Sequence, residues 1–386
     1  MSDNFIQFHR AWIGDEEEQE VLAALRSGWL TTGERTRKFE AEFARYAGAR
    51  YAVGLNSCTA GLFLSLKAFG IGKGDEVITT PMTFAATANV ILHAGAKPVF
   101  VDINPDDLNI NTAKIEEAVT PGTRAVMPVH FRGVPCNMDV ILSIAEKHNL
   151  IVIEDAAHAI ESVYKNRKTG SIGNTTCFSF YPNKNITTGE GGMVTTDNEG
   201  IASKIRILSN HGLSRDALMR YMPSGQPLYE VLEPGYKFNM FDLQAALGLH
   251  QLSKIETFWK RRRQITHKYN TAFEKLPHFT VPADVNEGKN AYHLYVLLLN
   301  RDTLGIDRDQ LLTELKKAGI GSSVHFKALH LHKYYRETFG LVPEDFPVAT
   351  DVSGRIFSLP LYPRLTDEEV ERVISTVMKI LQKHAK

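Results

Sequence analysis

The chemistry of this chain gathers around one lysine. In FSFYPNKNITTGEGG, Phe178 to Gly192, an apolar strand runs out into Lys184 and then into a polar, glycine-rich turn. A lysine held in a partly dry place loses some of its preference for the charged form, and a less protonated amine attacks carbonyls. A lysine at a strand end ordinarily points to water, so its neighbours must decide. Three further features sit at the carboxyl ends of predicted strands. In EDAAHA, Glu154 to Ala159, an apolar strand ends in two acids and then a histidine. Asp155 cannot stay ionised there without a cationic partner or hydrogen bonds. In NSCTAG, Asn56 to Gly61, a strand meets a helix through small residues, so backbone N–H groups can face an anion. Ser179 lies in the strand that leads to Lys184. Taken singly, helix capping accounts for Asp155 and for NSCTAG equally well.

Taken together, these features describe a phosphate seat, a buried carboxylate and an amine nucleophile. Pyridoxal phosphate wants those three things: a lysine for its aldehyde, a carboxylate for its ring nitrogen and a helix N-terminus for its phosphate. Asp155 would keep the ring protonated and so make it an electron sink. Lys184 would be the covalent link, and its released amine would be placed to shuttle a proton between carbon atoms.

The elements that must position these groups follow from the patterning. Short apolar strands at 51–56, 76–80, 97–103, 124–130, 150–155, 177–182 and 192–197 alternate with helices, including 59–69, 84–92, 138–148 and one between 103 and 124. That is the signature of a largely parallel sheet covered on both faces, whose ligands sit at the carboxyl ends of the strands. An N-terminal helix carries a capping box at Asp15 and Glu18, and a second helix covers Thr36 to Tyr46. Beyond residue 210 the pattern changes. SRDALMRYMPSGQPLYEV (214–231) reads as a long loop, and one or two long helices follow over 241–276. A turn-rich boundary at 276–289 precedes a smaller α+β unit with strands YHLYVLLL, IGSSVHF and RIFSLPL and a last helix capped by Thr366 and Glu369. The expected organisation is a large domain over 1–255 and a small C-terminal domain over 256–386, joined through the helix 241–276.

Bulk composition excludes several classes. The chain has 386 residues, 43% hydrophobic and 23% charged, with zero formal net charge, so no long-range field draws it to nucleic acid or to an anionic membrane. The run KRRR (260–263) reads as a solvated helix face. No apolar run reaches the ~18 residues of a membrane span, and MSDNFIQFHR has no signal-peptide core. Cys58, Cys136 and Cys177 fit neither a zinc site nor a disulfide framework, which points to a reduced, cytoplasmic compartment and no metal.

SGWLTTG (27–33), NSCTAG, TPMTFAATANVILHAGAKPVFVDI (80–103), PVHFRGVPCNMD (128–139), EDAAHA, SFYPNKNITTGEGG (179–192) and PGYKFNMFDLQAALGL (234–249) carry a family pattern. From about residue 8 to residue 380 the chain resembles the nucleotide-sugar aminotransferases of the DegT/StrS group. These have the α/β, aspartate aminotransferase-like fold type I of the pyridoxal-phosphate enzymes. The resemblance implies that Lys184 carries the cofactor as an internal aldimine, cycling through pyridoxamine phosphate. It implies that Asp155 pairs with the ring nitrogen and that Phe84 stacks on the ring. Cys58 and Thr59 would offer backbone amides to the phosphate, and Ser179 its hydroxyl. His158 stands where many relatives have glutamine, both able to reach the ring oxygen, although a histidine can change charge with pH. Asn239 would reach the phosphate in the other subunit, which makes a homodimer with shared sites obligatory.

Within the group the chain is most similar to enzymes that aminate a 4-keto sugar on UDP, such as UDP-4-amino-4-deoxy-L-arabinose aminotransferase. The shared stretches include HGL at His211 and VHFKALHLHKYYRE from Val324. His325 is the candidate there for substrate binding. Two departures stand out: Phe241 where many relatives carry arginine, and Cys58 where glycine is usual, a position at which a cysteine could be reactive. The expectation is an aminotransferase that takes the amino group of L-glutamate, releases 2-oxoglutarate and aminates a UDP- or dTDP-linked 4-keto sugar. Amination of a 3-keto sugar or a cyclitol, and a non-catalytic cofactor-binding sensor, remain as alternatives. Lys184 argues against the dehydratase relatives, which carry histidine in its place.

Overall fold

The structure is a computed structural model that describes residues 5–214, 219–220, 227–285 and 287–386. The first half folds as strand and helix in turn. Its strands are β1 (Tyr51–Leu55), β2 (Glu76–Thr79), β3 (Lys97–Phe100), β4 (Thr123–Val126), β5 (Ile151–Asp155), the short β6 (Val163–Tyr164) and β7 (Arg167–Lys168), β8 (Thr175–Ser179) and β9 (Gly192–Thr196). Seven of these form one sheet in the order β1-β9-β8-β5-β4-β2-β3. Pairing is parallel from β3 through β2, β4 and β5 to β8, and antiparallel where β9 lies between β8 and β1. The sheet is therefore mixed but mostly parallel, as strands apolar throughout require.

β1, β5 and β8 run the same way, so their carboxyl ends share one edge. β9 starts at that edge, with Gly192 opposite both Leu55 and Ser179. A Cβ on Gly192 would lie 2.3 Å from the Ser57 carbonyl carbon and 2.4 Å from Cys58 N. Only glycine lets the Ser57–Cys58 turn rest on the strand there. The helix it opens, Cys58–Ala68, is apolar on nearly every side because the sheet and the helices Ala85–Ala94 and Glu199–Ser209 enclose it.

A single helix, Asp242–Phe273, carries the chain onward for 32 residues. Ala245, Leu249, Leu252 and Phe258 pack with Phe39, Phe43 and Phe180 in one core. Ile265, Tyr269 and Phe273 enter a second core with Tyr295, Leu297 and the C-terminal helix Asp367–His384. The later strands are β10 (Phe279–Thr280), β11 (Gly288–Lys289), β12 (Tyr295–Leu299) and β13 (Ile356–Leu359). They form an antiparallel sheet β10-β12-β13, while β11 pairs with β6. The Thr366–Glu369 box closes as expected, with reciprocal bonds of 2.8 and 3.2 Å.

Four expectations are corrected. The first helix, Asp15–Ser27, is closed by Glu17, which accepts the Gly14 N–H at 2.9 Å. Lys254 and Gln251 hold Glu17 buried, so Glu17 rather than Glu18 is aimed at the cap. Between 103 and 124 only the 3-10 turns Thr112–Lys114 and Glu116–Ala118 form. IGSSVHF makes isolated bridges, Ile6 with Ile320 and Ser323 with Ser358, in place of a strand. Within KRRR, Arg262 is buried and paired with Glu161, because it faces the core side of the long helix. Most of the loop expected over 214–231 lies outside the described residues.

Candidate active site

The strand ends open onto one cavity of about 400 Å³. Lys184, Asp155, His158, Phe84, Cys58, Thr59, Ser179 and His325 all line it. Asn239 does not. It lines a second cavity with Thr32, Arg206 and Lys237, and donates through Nδ2 to Thr32 Oγ1 at 2.7 Å.

Lys184 follows β8 through a tight turn in which its N–H donates to Tyr181 O at 2.9 Å. Among the described residues its amine makes no ion pair. Burial brings its pKa down to about 8, against the opposing pull of Asp155. A substantial fraction is then neutral amine near pH 8. Asp155, the last residue of β5, is buried. Its Oδ2 accepts from Thr87 Oγ1 at 2.8 Å and its Oδ1 from Ala157 N at 3.1 Å. Burial outweighs these bonds and raises its pKa.

The anion seat is built by capping. Ser57 Oγ accepts from Ala60 N at 3.1 Å and Ser57 O from Gly61 N at 3.2 Å. The N–H groups of Cys58 and Thr59, first in the helix, have no intrahelical partner, and the dipole adds positive potential there. The Cys58 thiol is not activated by that potential. Burial and the nearby Asp155 push its pKa well up, which favours a small buried residue over a reactive thiol at this position. Phe84, the N-cap of Ala85–Ala94, is 65% exposed and presents its ring at the cavity, 6.2 Å from that of Phe326.

Two histidines are held in opposite tautomers. His158 Nδ1 accepts the Arg132 backbone N–H at 3.3 Å, which leaves the proton of the neutral ring on Nε2. Burial, Lys184 and His325 keep its pKa well below the ordinary value, so His158 stays neutral, contrary to the expected pH response. The ring of His293 lies 4.3 Å from that of His158. Its Nδ1 donates to Asn185 Oδ1 at 3.0 Å, because the Asn185 amide already donates to Glu161 Oε2 at 2.6 Å and Ala291 O at 2.9 Å. Its Nε2 therefore carries no proton. His325 is held by Ser358 Oγ at 2.9 Å and stacks on Phe8 at 5.4 Å. Sequence reading missed Glu161, Asn185, Arg262 and His293. Their partners are scores of residues apart, and the one signal present, a cation inside an amphipathic helix, points as readily to solvent.

An aminotransferase working through pyridoxal phosphate is the class that this fold and cavity define. The chain belongs to the DegT/DnrJ/EryC1/StrS aminotransferase family, whose pattern matches residues 12–378. It is 52% identical over 381 residues, 98% of both chains, to the spore coat polysaccharide biosynthesis protein SpsC of Bacillus subtilis. Spr1654 of Streptococcus pneumoniae, described as a sugar aminotransferase and solved in a pyridoxamine-phosphate form, superimposes with a TM-score of 0.91 at 35% identity, covering 98% of this chain and 99% of that one. DesI, solved in the presence of its TDP-sugar product, gives 0.88 at 31% identity over 99% and 94% of the two chains.

The residues fit the cofactor. A buried acid that burial alone would neutralise faces the cavity, where a protonated ring nitrogen would supply the missing positive charge. Asn183 Oδ1, also in the wall, is a buried acceptor that finds no donor among the described residues. Among the described residues no cluster could hold a metal ion, and no helix is long and apolar enough to cross a membrane.

Proposed function

We propose that the chain transfers an amino group from glutamate to a nucleotide-linked 4-keto sugar, with the cofactor bound in the Lys184 cavity. The observation that carries this reading is the meeting of Lys184, Asp155 and the Cys58–Thr59 amides on one wall. When bound, pyridoxal phosphate supplies an aldehyde carbon that takes amines and a ring that draws off electron density. Asp155 would hold the ring-nitrogen proton, Phe84 would cover the ring face, and His158 would donate from Nε2 to the ring oxygen. Cys58, Thr59 and Ser179 would bind the phosphate. Lys184 would anchor the cofactor, and its neutral amine would be placed to take and return the substrate proton. His325, fixed by Ser358 and Phe8, contacts the sugar. Two units share each site: Asn239 stands outside the cavity of its own chain, and Leu22, Leu25 and Leu30 leave apolar surface exposed for a second copy. Three free, buried cysteines agree with a cytoplasmic location.

The test is a panel of 4-keto and 3-keto sugar nucleotides and a cyclitol ketone, each incubated with glutamate and read by mass. The amine should appear from a 4-keto substrate, with 2-oxoglutarate formed in equal amount. Amination of only the 3-keto sugars or the cyclitol would replace the substrate. No turnover with any of them, despite a bound cofactor, would favour a sensor.

A further inference from the structure

Asp155 is joined to two threonines that no role above uses. Thr87 Oγ1 lies 2.8 Å from Asp155 Oδ2, and Thr83 Oγ1 lies 2.8 Å from Thr87 Oγ1. All three residues are buried, and Thr83 also lines the cavity. The direction of this chain follows from proton counting. An ionised carboxylate only accepts, so the single Thr87 hydroxyl hydrogen goes to Asp155. Thr87 then has no hydrogen left for Thr83, so Thr83 must donate to Thr87. A hydroxyl polarised by a second donor is itself a better donor.

We propose that Thr87 and Thr83 are positioning residues that hold Asp155 as the anion and aim its carboxylate at the cofactor ring. The backbone assists: Thr87 is in the first turn of Ala85–Ala94, three residues after Phe84, so one helical turn sets both the exposed ring and the buried hydroxyl. Other groups around Asp155 cannot substitute. Lys184 favours the anion by charge, yet it is the group that would be consumed in binding the cofactor, and His130, whose Nδ1 accepts the Cys136 N–H at 3.1 Å, is neutral. The thiols of Cys58 and Cys177 are protonated and carry no charge. Thr87 and Ala157 are the hydrogen-bond donors to the Asp155 carboxylate among the described residues.

The inference rests on Asp155 being the acid that faces the cofactor ring, and the experiment separates the two. In apoprotein carrying 13C-labelled aspartate, the Asp155 carboxyl, assigned by its loss in Asp155→Asn, is titrated by NMR. Cofactor affinity is measured in parallel by equilibrium dialysis. Thr87→Val should raise the midpoint by about one pH unit, a tenfold change in proton affinity, since a donor to the charged form is lost. It should also weaken cofactor binding several-fold. Thr83→Val leaves the Thr87–Asp155 bond in place and should move both readings the same way by about a factor of two. Thr87→Ser keeps the hydroxyl and should restore the natural values. An unmoved midpoint in either valine variant, or a serine variant that behaves like valine, overturns the relay. Asp155→Asn that binds cofactor as tightly as the natural chain overturns the assignment of Asp155 and the relay with it. Weakened binding in Asp155→Asn with unchanged binding in Thr87→Val overturns the relay alone.

Discussion

Glu154 and Asp155 are neighbours at the end of β5, and they lead opposite lives. Strand alternation sends their side chains to opposite faces of the sheet. Glu154 is fully paired: Oε2 accepts from His130 Nε2 at 2.8 Å, and Oε1 accepts from Gly173 N at 2.7 Å and Thr176 Oγ1 at 2.6 Å. His130 is fixed as that donor because its Nδ1 accepts from Cys136 N at 3.1 Å. These bonds outweigh burial and hold Glu154 below the usual carboxylate range, whereas burial wins at Asp155 and raises it. One acid is spent on the fold and the other is kept for chemistry. The difference lies in whether the partners come from the protein or have to arrive with a ligand.

The comparison breaks most visibly at the amine beside Asp155. Lys184→Ala should lower turnover by at least about a thousandfold while circular dichroism and melting stay close to the natural chain. A variant that transaminates at the normal rate would mean that Lys184 is not the anchor. Asp155→Asn should cost about a hundredfold in kcat. Its effect on the apoprotein should be the reverse, a gain on the order of 1 kcal/mol at neutral pH in urea unfolding. The sign follows from linkage. A raised folded pKa contributes stability that is present below the unfolded aspartate value and lost as pH rises through the raised value, so at pH 7 the natural Asp155 is a burden. Bound cofactor should cancel that gain.

Glu154→Gln should do the opposite and cost about 2 kcal/mol, with kcat per folded molecule changed only a few-fold. Its depressed pKa contributes stability that is present above the unfolded glutamate value and lost as pH falls through the folded one. Melting of the natural chain should therefore weaken on acidification more steeply than melting of Glu154→Gln. Equal slopes would place the acid-sensitive group elsewhere. The smallest effect is expected at Cys58→Ala. A protonated thiol contributes packing and no charge, so kcat should stay within about twofold and thiol reagents should react slowly with the natural chain. Rapid labelling of Cys58 at neutral pH would contradict its buried, protonated state.

What was legible in the sequence is what local patterning encodes. The strand ends that carry Asp155, Ser179 and Lys184, and the small-residue turn at Cys58, came from strand–helix alternation, and the structure brings them to one cavity. The tautomers of His158 and His293 were illegible, because each is decided by a single hydrogen bond to a distant segment, Arg132 N in one case and Asn185 in the other. Arg262 was misread for a related reason. A cation in a helix looks solvated until a buried acid, Glu161, is folded against it. IGSSVHF has strand-forming residues, yet its backbone finds only Ile6 and Ser358 as bridge partners, too few to set a ladder.

The helix Asp242–Phe273 has a mechanical consequence. At 1.5 Å per residue its 32 residues span about 48 Å, and its two ends are anchored in different cores. It acts as a stiff spar between the half of the molecule that bears Lys184 and the half that bears Ser358 and β13. A tilt of about 5° at one end would carry the other by about 4 Å, more than the length of a hydrogen bond. Repacking around Ala245 and Leu249 at one end would therefore be felt by Ile265, Tyr269 and Phe273 in the other core.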